Sequence, residues 1–427
     1  MLNVNRKPLS NIIFLIAVNV IVKPFWLFGV DRVVQNKLGE ETFGMYFVLF
    51  NFSMICQILL DFGIQQYNSK SIAEEPGKIG AQISNFIFAK VILSFLYLIL
   101  LQITFLLLGY SFQKYSSLFL LLAINQILIS FIAYLRSNLA GLQRFKLDAF
   151  FSILDKLLMI ALAGSMLYFN IFNVTLNILN FVSIQTIAFL INFVVLIGVV
   201  KRLVGPIHWK INPLEIKQLM IKSIPFATAV FLMAIYLKMD VIMIERLLGD
   251  KGAYEAGIYA QSFRIVDALN MIGIFFANVL LPTYAHRLSF NLPIKKLVNQ
   301  SLLLLLAGIL PISLIVIYFS KTIIYAMYSG GTVYSSEILS ILMLSFIAYN
   351  MMHIFSSLLT AAGHLKSLNR LFFMGILLNF CSNLWLIPKL GAKGAAITTA
   401  GSQLIVLVGV ILITNQFLRL NSIKLKK

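Results

Sequence analysis

The chain has 427 residues, of which 60% are hydrophobic and 11% charged, against the ~25% charged of soluble domains. So few charges cannot clothe a water-exposed surface, so the natural solvent is lipid. The net charge of +19 would suggest nucleic acid in a soluble protein, but here it reads first as basic residues held on the cytoplasmic side of a membrane, with no nucleic acid partner.

A spanning helix needs ~20 mainly apolar residues. Twelve stretches qualify: 10–30, 43–62, 83–109, 116–138, 149–169, 176–200, 223–245, 257–282, 297–319, 336–361, 368–388 and 395–418. The first lacks a small-residue cleavage site and leads into more membrane sequence, so it reads as a retained helix. Lys23-Pro24 falls late in it, and the proline predicts a kink. The weakest divisions lie around Asn170–Thr175 and 110–116. Loop 201–222, with Pro206, His208, Trp209 and Pro213 before an amphipathic Leu214–Ile221, reads as an interfacial cytoplasmic linker. It divides the spans six and six: 1–200 as a first bundle, 223–427 as a second.

With the N-terminus inside, the inner segments hold 21 Lys and Arg and the outer loops 8. This bias places both termini in the cytoplasm. An even number of spans per half makes the repeats parallel, related by a pseudo-twofold along the membrane normal. Traces of the repeat remain. Leu38-Gly39, Phe43-Gly44-Met45-Tyr46 and Phe50 match Leu248-Gly249, Ala256-Gly257-Ile258-Tyr259 and Phe263, with Asp31 and Asp240 ahead of each set. Ala140-Gly141 with Arg144 and Lys146 pairs more weakly with Ala362-Gly363 and Lys366.

The segment 379–396, Asn-Phe-Cys-Ser-Asn-Leu-Trp-Leu-Ile-Pro-Lys-Leu-Gly-Ala-Lys-Gly-Ala-Ala, resembles the signature between the last two helices of polysaccharide exporters in the multidrug/oligosaccharidyl-lipid/polysaccharide (MOP) superfamily. Leu60-Asp61-Phe62-Gly63 resembles the end of their second helix, and Ala140–Lys146 their fourth loop. The first half has no clear copy of the 379–396 element near Asn170–Asn177. The resemblance, to Wzx-type O-antigen and polysaccharide flippases, implies an all-α membrane protein with a MATE-like fold. It implies transfer of undecaprenyl-pyrophosphate-linked oligosaccharide from the inner to the outer leaflet of the bacterial cytoplasmic membrane. Polysaccharide polymerase and chain-length machinery are the implied partners.

Ionisable groups within a span cost roughly 2.5–3.5 kcal/mol at its centre, so by default they mark a pathway. Apart from Arg136 and Arg370, at the cytoplasmic ends of their spans, five basic residues lie within spans: Lys23, Lys90 and Lys156 in the first half, Lys238 and Arg264 in the second. Together they would give a cleft between the bundles a positive potential suited to a pyrophosphate. Each has a plainer reading. Lys90 and Lys156 sit about two turns from the cytoplasmic side, where lysines snorkel. Asp155 is expected to point away from Lys156, as adjacent helical residues do. Arg264 and Asp267, three apart, would form a local ion pair. Asp267, Asp240 and Asp61 are the candidate carriers of a coupling proton or ion, although Asp61 also suits a cap or loop contact.

No G-x-x-x-x-G-K-[ST] occurs, so a P-loop is excluded. The four histidines, at 208, 286, 353 and 364, and Cys56 and Cys381 in apolar runs show no metal spacing. No cofactor is expected. An enzyme acting on lipid-linked sugars would want carboxylates clustered at one leaflet, and none stands out. A cation-coupled drug exporter would favour acids where this chain leans basic. A lipid II flippase shares the cationic logic but usually carries further helices.

Overall fold

In the computed structural model the described residues are 22, 24–62, 64, 65, 68, 69, 72, 79–142, 144–169, 175–204, 212–290 and 292–424. They are helical almost throughout. In chain order the helices are α1 (24–38), α2 (Glu40–Asp61), α3 (Ile79–Leu107), α4 (Phe112–Gly141), α5 (Phe145–Gly164), α6 (Ile178–Val204), α7 (Pro213–Leu248), α8 (Gly252–Ser289), α9 (Lys295–Tyr318), the short α10 (Ser320–Met327), α11 (Val333–Ala361), α12 (Leu365–Leu390) and α13 (Ala392–Lys424).

Among the described residues, 10 stretches are long and apolar enough to cross a membrane. One of them, Ile235–Leu288, holds two helices, α7 and α8, broken by the one-turn 3₁₀ segment Gly249–Lys251. Most of the first expected span, including Lys23, lies outside the described residues. Three residues after Pro24, α1 widens into a π turn, Leu27–Asp31, so proline and π turn, each a recognised cause of helix kinks, lie side by side. Residues 213–222, read from sequence as linker, are the opening turns of α7 and run straight on into the seventh span.

The chain forms two compact units. One comprises 1–38 and 49–234; the other comprises Gly39–Val48 and 235–427. The opening turns of α2 therefore pack with the second half of the sequence.

In the first unit, Phe86, Leu93, Ile132, Tyr134, Leu139 and Leu196 form part of one buried cluster. The opposite faces of α3 and α6 expose Phe95, Leu96, Ile99, Val194 and Val195. Apolar residues on both faces suit helices with protein on one side and acyl chains on the other. In the second unit α11 is the central helix, with residues such as Leu342, Phe346, Asn350 and Leu358 fully enclosed. A capping box starts it: Ser335 N donates to Thr332 Oγ1 at 3.1 Å and Thr332 N to Ser335 Oγ at 2.9 Å. Two orphan amides of the first turn are thereby satisfied.

The glycines of the 379–396 segment have a packing reason. α12 ends at Pro388–Leu390, and Gly391 turns the chain with φ +60. A Cβ there would lie 2.6 Å from the Tyr334 hydroxyl and 2.7 Å from Glu255 Oε2. Glu255 Oε2 accepts from Tyr334 Oη and from the Ala392 amide, each at 2.9 Å, and Lys393 N donates to Tyr334 Oη at 3.1 Å. One carboxylate thus clips α8, α11 and the start of α13 together. Glu255→Ala strands the Ala392 amide and leaves Tyr334 only the Leu390 carbonyl at 2.9 Å, and is expected to lower stability by about 1–3 kcal/mol. A lowered midpoint of thermal unfolding in detergent would show it; an unchanged midpoint would deny the clip any weight.

Candidate functional site

The repeated glycines explain how the cationic part of the site is built. A Cβ on Gly44 would fall 1.8 Å from the Ala253 carbonyl oxygen, and one on Gly257 would fall 2.0 Å from that of Glu40. Only glycine at both positions lets α2 and α8 touch backbone to backbone. The contact also brings Phe43 and Phe47, on either side of Gly44, against Arg264, two turns beyond Gly257. The guanidinium carbon lies 4.4 Å from the Phe43 ring centroid and 5.2 Å from that of Phe47. Gln261 Nε2 donates to Glu40 Oε1 at 3.1 Å on the same seam. Arg264 is 7% exposed.

Lys238, on α7, places its ammonium 5.0 Å from the Phe263 centroid. Phe263 lies 6.2 Å from Phe47 and stacks on Tyr259 at 5.7 Å. Lys238 and Arg264 therefore share one aromatic cluster. Ring faces attract a cation, worth ~2 kcal/mol when desolvated, yet leave its charge intact.

Tyr259 links this cluster to a second centre. Its hydroxyl donates to Asp240 Oδ2 at 3.3 Å. Asp240 is 2% exposed. Asn383 Nδ2 donates to Asp240 Oδ1 at 2.8 Å, and the Thr399 hydroxyl donates to Oδ2. Asn383 also donates to Asn379 Oδ1 at 3.0 Å, and Tyr236 Oη reaches Ser402 Oγ at 3.2 Å alongside. α7, α8, α12 and α13 each supply a group. The set has one carboxylate among neutral amides and hydroxyls, so it can balance at most a single positive charge, such as a proton or a monovalent cation. Among the described residues no group of three His, Cys, Asp or Glu side chains could hold a metal ion.

The remaining expected residues fall elsewhere. Asp267 is exposed on α8, and the Arg264 guanidinium lies over the Phe43 and Phe47 rings. Lys90 does not snorkel: it is 1% exposed and donates to the Leu60 carbonyl at 2.8 Å and to Ser130 Oγ at 2.7 Å. Its ammonium is 3.9 Å from Asp61 Oδ1. A predicted cavity cation and a predicted proton carrier thus meet in one core knot that fastens the end of α2 to α3 and α4. Lys156 bonds its neighbour Asp155 at 2.9 Å, against the expectation that adjacent residues diverge, and lies 5.2 Å from the Phe189 centroid. Lysine's four-carbon stem is long enough to fold back along the helix surface.

Removing one partner of a buried pair costs ~3–5 kcal/mol in full burial. With Asp61 partly exposed, Lys90→Met should sit at or below the lower end. The expected result is a lower unfolding midpoint, largely recovered in Lys90→Met/Asp61→Asn; no recovery would remove the pair from the account.

Phe47, Asn379, Asn383 and Thr399 were not singled out from the sequence as site residues. The signal for two of them was present: Asn379 and Asn383 are polar residues i and i+4 in an apolar span, on one helical face.

The family profile described as polysaccharide biosynthesis protein matches residues 9–287. The chain belongs to this family. No curated protein sequence matches significantly. Among solved structures, a MOP superfamily transporter from Pyrococcus furiosus, described as having a binding pocket of reverse polarity, superposes with a TM-score of 0.68 at 13% identity, over 98% of this chain and 95% of that one. An inward-facing multidrug resistance MATE transporter gives 0.70 at 14% identity, over 92% and 94%. The lipid II flippase MurJ in an inward closed conformation gives 0.68 at 17% identity, over 93% and 87%. The polysaccharide biosynthesis chain therefore has the all-helical fold of MOP exporters, MATE-like, and is a multi-pass membrane protein.

Proposed function

We propose that this polysaccharide biosynthesis protein is a flippase that carries an undecaprenyl-pyrophosphate-linked oligosaccharide, an O-antigen or related surface repeat unit, across the bacterial cytoplasmic membrane by alternating access. The observation that carries the reading is Arg264, a buried cation kept within a membrane helix and stacked on Phe43 and Phe47. Burial there is costly. A ring-held guanidinium keeps its positive charge and its fork of donors for a diphosphate. Lys238 adds a second charge on the same aromatic cluster. Asp240 is the coupling residue: filling or emptying its site changes the bond to Tyr259, which stacks on the ring beneath Lys238. The family's role in polysaccharide biosynthesis and the fold shared with MurJ support the substrate class.

Deleting the gene in its native host should abolish the surface polysaccharide while lipid-linked oligosaccharide accumulates in the cytoplasmic leaflet. Accumulation in the outer leaflet would move the protein's step after translocation and defeat the proposal.

A further inference from the structure

The first unit contains an open, mostly apolar groove of about 460 Å³, lined by none of the residues of the Arg264 and Asp240 centres. It runs between α3, α4 and α6. Ile83 and Ile87 of α3, Phe131 of α4 and Phe193 and Ile197 of α6 line it, and the exposed Lys201 lines its end along α6. The two phenylalanines meet edge to face at 5.9 Å. From Phe193 to Lys201 along α6 is about 12 Å at the helical rise. One leaflet of hydrocarbon is about 15 Å deep, half of a bilayer core. The groove thus has the reach of a single chain entering from one leaflet. Its volume is within the ~300–1,000 Å³ of ordinary small-molecule sites.

The mouth is chemically different from the floor. Lys201 and Arg202 are exposed in the last turn of α6. A lysine stem can line an apolar groove while its ammonium rises to the headgroup level. An apolar slot about 12 Å long along α6, with Lys201 in its lining and Arg202 next to it in the chain, complements a lipid carrying an acyl chain and a negative headgroup.

We propose that this groove is a binding site for one anionic phospholipid, with an acyl chain between α3, α4 and α6 and its phosphate against Lys201 and Arg202. The site is independent of the flippase reading and would persist if the substrate were something else. Bound there, the lipid bridges three helices of the unit at the end where Lys201 lies, which the excess of Lys and Arg reads as cytoplasmic.

The test is native mass spectrometry of the full-length protein in detergent, titrated with equimolar phosphatidylglycerol and phosphatidylcholine. Phosphatidylglycerol should be retained preferentially, and Lys201→Ala and Arg202→Ala should each cut the preference by about fivefold, the weight of one interfacial cation. Ile197→Trp, which fills the groove from an exposed position, should reduce retention of both lipids. Equal retention by the unmodified protein, or a preference that survives both the charge and the filling variants, overturns the assignment. Displacement of phosphatidylglycerol by an equal amount of undecaprenyl phosphate also overturns it, since the occupant would then be a prenyl lipid.

Discussion

Arg264→Ala is expected to abolish glycan export while the protein remains in the membrane at its normal level. The guanidinium is the most buried cation among the described residues of the second unit and rests on Phe43 and Phe47. A charge-assisted hydrogen bond contributes about 1.5–3 kcal/mol, and a guanidinium offers a diphosphate two in parallel. Losing one such bond lowers affinity by about 10- to 100-fold, and losing both removes transport at cellular substrate levels. Arg264→Lys keeps the charge and loses the fork, so partial export is expected. Lys238→Ala should be milder, because its ammonium is a point charge that is only half-buried. The readout is surface polysaccharide beside an immunoblot of the membrane fraction. Normal export in the Arg264→Ala/Lys238→Ala double variant would sink the cationic site.

Gly257→Val should have the largest effect on folding. A Cβ there meets the Glu40 carbonyl at 2.0 Å, and backbone cannot step aside as a side-chain tip can. Overpacking commonly costs about 1–3 kcal/mol, and this position belongs at or beyond the upper end. Gly44→Val makes the reciprocal clash with Ala253 and should behave alike. The same molecule supplies the control. A Cβ on Gly308 in α9 meets nothing within 4 Å, so Gly308→Ala should be neutral or stabilising by up to about 1 kcal/mol. Membrane yield and the thermal midpoint after purification measure both. Equal behaviour of Gly257→Val and Gly308→Ala would refute the backbone contact between α2 and α8.

The membrane helices were legible because hydropathy over ~20 residues depends only on the local run of sequence. The places where sequence reading and structure part follow from distance along the chain. Lys90 and Asp61 are 29 positions apart, and nothing local in either run announces that Ser130 will complete their knot. Asp155 and Lys156 were separated by a rule about where side chains leave the helix, which the flexible lysine stem evades. The glycine motifs were recognised as a repeat, but their purpose was not visible: the two copies are contact partners, and Phe43 and Phe263 within them are the rings beneath Arg264 and Lys238. Asp240 was picked out as an acid in a span. Its partners Asn383 and Thr399 lie 143 and 159 residues away. Only the packing of α7 against α12 and α13 brings them to it.

The central claim is that this chain moves a diphosphate-linked prenyl oligosaccharide across a bilayer through the Arg264 site. The most direct measurement reconstitutes the purified protein in vesicles carrying a fluorescent form of that lipid. The fraction accessible to a membrane-impermeant quencher is then followed in time, with and without proton or sodium gradients. The account predicts transfer well above protein-free vesicles, dependent on a gradient in the wild-type protein, lost in Arg264→Ala and no longer gradient-dependent in Asp240→Asn. Transfer no faster than in empty vesicles, or equal in wild type and Arg264→Ala, would contradict it.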